Sequence, residues 1–331
     1  MNTENLISIV QKLVAKPKGI LAIDESSNTC NARFESVGIA TTEENRRAYR
    51  ELLVSCPELE NYVSGFIMFD ETIRQATTAG DSFVSILEGK GIIPGIKVDQ
   101  GLQPLEGHEG EETTKGLDGL KERLEGYYAL GARFTKWRAV YHISDLLPSE
   151  ELMRENARSL AMYAKTVQEV GMVPMIEPEV LISGSHTIER CEEVTARNLE
   201  IVFEEIRNAE VFIPGLILKT SMVIAGLEAK EQASVAEVAE KTVAVLKSKV
   251  PTDIGGIVFL SGGQADDIAT AHLQEMHAHG DLPWPLTFSY SRAIQNDALK
   301  RYAKGDVEGA RVALLGRARN NSLASIGAYG T

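Results

Sequence analysis

Eight short, apolar, β-rich runs recur along the 331-residue chain, each followed by a helical pattern. They are GILAID (19–24), VSGFIMFD (63–70), IIPGIKVD (92–99), FTKWRAVY (134–141), MVPMIEPEV (172–180), GLILKTSMV (215–223), GGIVFLSG (255–262) and PLTFSYS (285–291). Strands that are apolar on both faces and alternate with helices belong to a parallel sheet covered by helices. The intervening stretches are long and amphipathic, as in SEELMRENARSLAMYAKTVQEV (149–170) and HTIERCEEVTARNLEIVFEEI (186–206). In the first, Leu152, Ala157, Leu160, Ala161 and Ala164 recur with a helical period, and Ser149 followed by Glu150 and Glu151 marks a helix start.

Eight such units in a chain of this length fit an α/β fold, a closed (β/α)8 TIM barrel covering 1–331 as one domain. An open doubly wound sheet is the alternative, but no G-x-G-x-x-G follows the first run. GHEGEETTKG (107–116) reads as a long surface loop after the third strand. The opening MNTENLISIVQKLV reads as an amphipathic helix carrying both charge signs. Lacking a basic start, an apolar centre and a small-residue cleavage site, it predicts no secretory signal. No apolar run approaches the length that crosses a bilayer, so no membrane partner is expected.

Within the sixth run, Lys219 stands among Leu216, Ile217, Leu218 and Met222. An ammonium group in a strand that belongs to the core is costly unless something holds it there. The other runs show the same anomaly at their ends: Asp24, Lys97, Lys136 with Arg138, Glu177 with Glu179, Ser261, and Ser289 running into Arg292. Barrel enzymes take their catalytic groups from these C-terminal ends. Residues two apart on a strand share a face. Lys136 and Arg138 therefore point together with Trp137 opposed, and Glu177 and Glu179 point together across Pro178. If both faces point inward, three lysines, an arginine and three carboxylates meet in one cavity, with both signs available for pairing.

That mixture suits amine chemistry. Neighbouring cations such as Lys136, together with desolvation, lower the pKa of Lys219 and free its lone pair. The amine attacks a ketone or aldehyde, and the resulting imine is an electron sink that needs neither metal nor cofactor. Glu177 and Asp24 can move the protons. His272, His277 and His279, at spacings of five and two, match no metal-binding face.

The net charge of −13 argues against nucleic acid or an anionic membrane as partner, yet local anion sites are visible. In FLSGGQADD (259–267) a strand passes through Ser261, Gly262 and Gly263 into a helix. Small residues let backbone N–H groups approach an anion, and a helix start favours negative charge. Ser289 and Arg292 lie beside it by topology. DESSNTCNAR (24–33) offers Ser26, Ser27, Thr29 and Arg33 across the mouth. Two anion sites flanking a lysine suggest a small substrate phosphorylated at both ends. Plainer readings exist: a rim ion pair for Glu177 and Glu179, an ordinary turn for SGGQ, a helix cap for DESSN. Cys30, Cys56 and Cys191 form no C-x-x-C pair and read as free thiols in a reducing cytoplasm.

Taken in order, GILAIDES, TTEENRRAYRELL, GIKVD, KWRAV, EPEVL, LKTSMV, FLSGGQ and TFSYSRA resemble class I fructose-1,6-bisphosphate aldolase, from about residue 10 to residue 329. The resemblance implies a (β/α)8 barrel, commonly a homotetramer, that works in glycolysis and gluconeogenesis. Such an enzyme cleaves fructose 1,6-bisphosphate reversibly to dihydroxyacetone phosphate and glyceraldehyde 3-phosphate. It implies that Lys219 forms the Schiff base, Glu177 is the main acid and base, and Glu179 orients and balances the lysines. Asp24 would meet the hydroxyl whose proton leaves, and Lys136 would tune Lys219 and polarise the carbinolamine. Ser261, Gly262 and Arg292 would hold the ketone-side phosphate. Ser26, Thr29 and Lys97 would hold the other, with Arg138 and Arg33 nearby.

The chain departs from the family pattern in three places. Ser291 stands before the phosphate-binding arginine where the family usually has Gly. Thr29 replaces a frequent Ser and keeps the hydroxyl. Tyr329, in the closing SLASIGAYGT, aligns before the flexible tail whose terminal tyrosine assists proton exchange in many members, so the tail is expected to be truncated. Transaldolase, a preference for sedoheptulose 1,7-bisphosphate, and a non-catalytic binding role are the competing readings.

Overall fold

The computed structural model describes residues 2–330. Eight parallel strands close into a barrel in chain order, each bonded to its sequence neighbours and the eighth to the first. The strands are Gly19–Ile23, Val63–Met68, Ile93–Lys97, Phe134–Tyr141, Val173–Val180, Ile217–Thr220, Gly256–Phe259 and Leu286–Tyr290. All eight match the predicted runs, and most are shorter than them. The sixth ends at Thr220, because residues beyond it leave the sheet toward the cavity mouth.

The helices follow the predicted pattern. Glu150–Val170 starts at an N-cap, Ser149, whose side chain accepts from the Leu152 N–H. Ile188–Asn208 is capped in the same way by Thr187. The 107–116 segment differs from the expected loop. Glu112–Thr114 pairs antiparallel with Leu102–Pro104, and the Thr114 hydroxyl donates to the carbonyl of Arg138, tying this hairpin to strand four.

Side-chain alternation divides the interior into two cores. Outward residues such as Trp137 pack between strands and helices; Trp137 is fully buried, 5.3 Å from the Tyr163 ring. Inward residues of the lower barrel, including Ile20, Ala22, Phe134, Met175 and Ile217, form a separate cluster. Its floor is the helix Thr3–Leu13, whose Leu6, Val10 and Leu13 plug the barrel from below. One step up four of the strands the inward positions become charged. Phe134 is followed by Lys136 and Arg138, Met175 by Glu177 and Glu179, Ile217 by Lys219, and Ala22 by Asp24.

Gly95 is part of this packing. A Cβ there would lie 2.3 Å from the Phe134 ring, whereas real contacts stay beyond 3 Å. Gly95→Ala is expected to destabilise the fold by about 1–3 kcal/mol through overpacking. The urea midpoint at constant m-value measures it.

Candidate active site

The charged tops of the strands line one cavity of about 1310 Å³. At its base Glu177 is shared by two lysines. Lys219 Nζ lies 2.9 Å from Oε1, and Lys136 Nζ lies 2.9 Å from Oε2. Lys136 also lies 2.6 Å from Asp24 Oδ2. All four side chains are buried, Lys219 with 4% exposure. Charges this deep persist only when paired.

Burial opposes ionisation of Asp24, but Lys136, Lys219 and Lys97 outweigh it and hold its pKa down at about 2. Glu177 is likewise lowered: Lys136, Lys219 and Arg138 prevail against desolvation. Burial opposes the charge on Lys136, yet Asp24 and Glu177 raise its pKa well above the lysine range. At neutral pH both carboxylates are therefore anions and Lys136 is an ammonium. The amine chemistry expected of Lys219 thus does not rest on Lys136 alone. The Glu177 carboxylate stands between Lys136 and Lys219, within hydrogen-bond distance of both amine nitrogens.

One stability consequence follows. Asp24 has a folded pKa below its ordinary 3.8, so the folded chain binds that proton less readily than the unfolded one. Its contribution is present above about pH 4 and is lost as pH falls toward about 2. Asp24→Asn is expected to make stability less steep between about pH 4 and pH 2, read from denaturation midpoints across that range.

Further out, Arg138, Lys97, Arg33 and Arg50 are each paired with a carboxylate. Glu179 does not reach the lysines, as the resemblance implied, but ion-pairs with Arg138. Arg138 lies beside Glu177 in the strand register and reaches up one inward position instead. Lys97 pairs with Asp99 at 2.7 Å and sits 5.9 Å from the Phe69 ring centre. Arg33 pairs with Glu25, a residue not singled out from the sequence. Arg50 Nη2 lies 3.2 Å from the same carboxylate, and Ser291 Oγ donates to it at 2.8 Å. The Ser291 hydroxyl thus joins the loop after strand one to the end of strand eight. The clue lay in Glu25 following Asp24, but nothing in spacing indicates a partner 266 residues away.

The residues of the two expected anion sites line the same cavity. Ser261, Gly262, Ser289 and Arg292 line the cavity together. Gly262 and Gly263 have φ of +58° and +97°, the left-handed region that glycine reaches without strain. Ser289 Oγ is buried and bonded to nothing among the described residues. Arg292 is exposed, has no carboxylate partner among them, and lies 3.5 Å from where a Gly263 side chain would begin. A guanidinium without a carboxylate partner, an unbonded hydroxyl and a glycine turn together have the chemistry that suits an anion. Across the mouth, Ser26 caps the helix Ser27–Ser36, accepting from the Thr29 N–H at 3.3 Å, and its Oγ lies 3.0 Å from Thr29 Oγ1. Both also line the cavity, so the capping role leaves them on its wall.

Known proteins agree with this geometry. The family described as fructose-bisphosphate aldolase class-I matches residues 5–331. A probable fructose-bisphosphate aldolase class 1 of Xanthomonas axonopodis pv. citri is 54% identical over 99% of both chains. The cytosolic fructose-bisphosphate aldolase 4 of Arabidopsis thaliana is 44% identical over 99% of this chain and 84% of its own. A solved fructose-bisphosphate aldolase from Plasmodium falciparum, in complex with TRAP and a small-molecule inhibitor, superposes with a TM-score of 0.97 at 43% identity. It matches 99% of this chain and 96% of its own. Whole-length sequence similarity, barrel topology and the lysine–carboxylate cluster concur: the chain belongs to the class I fructose-bisphosphate aldolase family.

Proposed function

We infer that the protein cleaves fructose 1,6-bisphosphate reversibly to dihydroxyacetone phosphate and glyceraldehyde 3-phosphate through a Schiff base on Lys219. The observation that carries this is Glu177 bridging Lys219 and Lys136, each at 2.9 Å, under two anion receptors. Glu177, ionised at rest, takes a proton from Lys219 as the ketone arrives. The freed amine adds to C2, Lys136 steadies the developing oxygen charge, and a proton passes from the nitrogen to that oxygen to give the neutral carbinolamine. Glu177 returns the proton to the carbinolamine hydroxyl, which leaves as water.

The iminium then draws electrons from the C3–C4 bond. The C4 hydroxyl proton passes to Asp24, C4 becomes the aldehyde carbon, and the electron pair rests on the enamine. Protonation at C3 and hydrolysis of the iminium release dihydroxyacetone phosphate and restore Lys219. Ser261, Gly262, Ser289 and Arg292 hold the ketone-side phosphate. Ser26, Thr29 and Lys97 hold the other, with Arg33 and Arg138 beside them, and Glu179 steadies Arg138. Borohydride trapping with substrate should add mass to the peptide bearing Lys219; trapping elsewhere, or none, overturns the reading.

Loss of Arg292 removes the one mouth guanidinium that has no protein partner among the described residues. Arg292→Ala is expected to raise KM for fructose 1,6-bisphosphate about tenfold to a hundredfold. That matches the roughly 1.5–3 kcal/mol of a hydrogen bond to a charged group. Steady-state kinetics with triose detection measures it. Comparing kcat/KM with sedoheptulose 1,7-bisphosphate fixes the preferred ketose. We place the protein in the cytoplasm on its three unpaired, buried thiols, and assign it the family's homotetramer, which light scattering tests.

A further inference from the structure

The strand-seven turn that presents Gly262 and Gly263 is held by one side chain, and that side chain also reaches the lysine's own loop. The Gln264 N–H closes the turn onto the Ser261 carbonyl at 3.0 Å. The Gln264 amide then faces two ways. Its Nε2 donates to Met222 Sδ at 3.6 Å, and its Oε1 lies 2.7 Å from His272 Nδ1. Met222 is buried and stands three residues beyond Lys219. His272 is buried on the helix Asp266–Met276.

The chemistry of these partners fixes the protons. A thioether sulfur can only accept, so the amide N–H₂ must face Met222. The carbonyl oxygen then faces His272, and Nδ1 must carry the hydrogen. Burial holds the His272 pKa down at about 4, so the ring is neutral and keeps that tautomer through the physiological range. The turn is thus tied to the strand-six exit and to the helix behind it by a single amide with no freedom to flip.

Resting on the aldol reading above, we propose that Gln264 is a positioning residue, oriented by His272, that sets the distance between the ketone-side phosphate receptor and Lys219. The phosphate is bound by the turn and Arg292, while C2 is attacked by an amine on the neighbouring strand. Only a fixed separation between turn and strand brings both into register, and Gln264 spans that gap. Its side chain need not touch the substrate to do this.

Borohydride trapping by dihydroxyacetone phosphate tests the proposal, because that triose uses only the ketone-side receptor and Lys219. Gln264→Leu, which keeps the volume and removes both hydrogen bonds, is expected to raise the half-saturating triose concentration about three- to tenfold. His272→Leu should reproduce that shift. His272→Asn places an N–H donor at the position of Nδ1 and should restore it to within about twofold. A merely structural role would lower the melting temperature in both leucine variants and leave half-saturation unchanged, which overturns the proposal. Failure of Asn to rescue also overturns the part given to His272. If the unsubstituted enzyme traps nothing at Lys219, the aldol reading itself fails, and this inference with it.

Discussion

Lys219→Met is expected to leave a folded protein with no measurable cleavage, a fall in kcat of at least about 10⁴-fold. Loss of a covalent nucleophile acts on that scale, since the remaining groups then have no intermediate to serve. Stability should change little. Glu177 keeps Lys136 as its counterion at 2.9 Å, so no carboxylate is left buried alone. The methionine thioether suits a position whose strand partner is Val258. Activity, borohydride trapping and the melting temperature together check it. Residual cleavage within about a hundredfold of the parent enzyme would place the nucleophile elsewhere.

Glu177→Gln has the next largest effect, through two routes. It removes the proton carrier in contact with Lys219, for which general acid–base catalysis predicts a loss of about 10²–10⁴ in kcat. It also withdraws a counterion from two buried lysines. Lys136 retains Asp24 at 2.6 Å, but Lys219 has no other carboxylate within ion-pair distance among the described residues. Breaking such a pair costs about 3–5 kcal/mol when the stranded charge stays buried. Trapping at Lys219 should persist at a much lower rate, which separates this role from that of the nucleophile. A kcat within tenfold of the parent enzyme would show that Glu177 is only a counterion.

The barrel was legible because the strands are apolar on both faces below, and several of them turn charged on the inward face at the top. Period two then placed Lys136 with Arg138 and Glu177 with Glu179. It could not say which carboxylate each cation chooses. That choice depends on the stagger between strands, which sends Arg138 up to Glu179 and leaves Glu177 to the lysines. The hairpin at Leu102–Pro104 was hidden because its strands are three residues long and mostly polar, without the apolar run that marks a barrel strand. The Glu25 network was hidden for another reason. Arg33 and Arg50 come from the two helices after strand one, and Ser291 joins them at one carboxylate by closure of strand eight onto strand one.

The helix Thr3–Leu13 stoppers the barrel from beneath, so the reaction chamber is a well and not a tunnel. Everything that enters or departs shares one doorway. In cleavage, on a Schiff-base route, the untethered aldehyde must go out first, past the triose still held covalently. In synthesis the ketone partner must come in and be tethered before the aldehyde closes the way behind it.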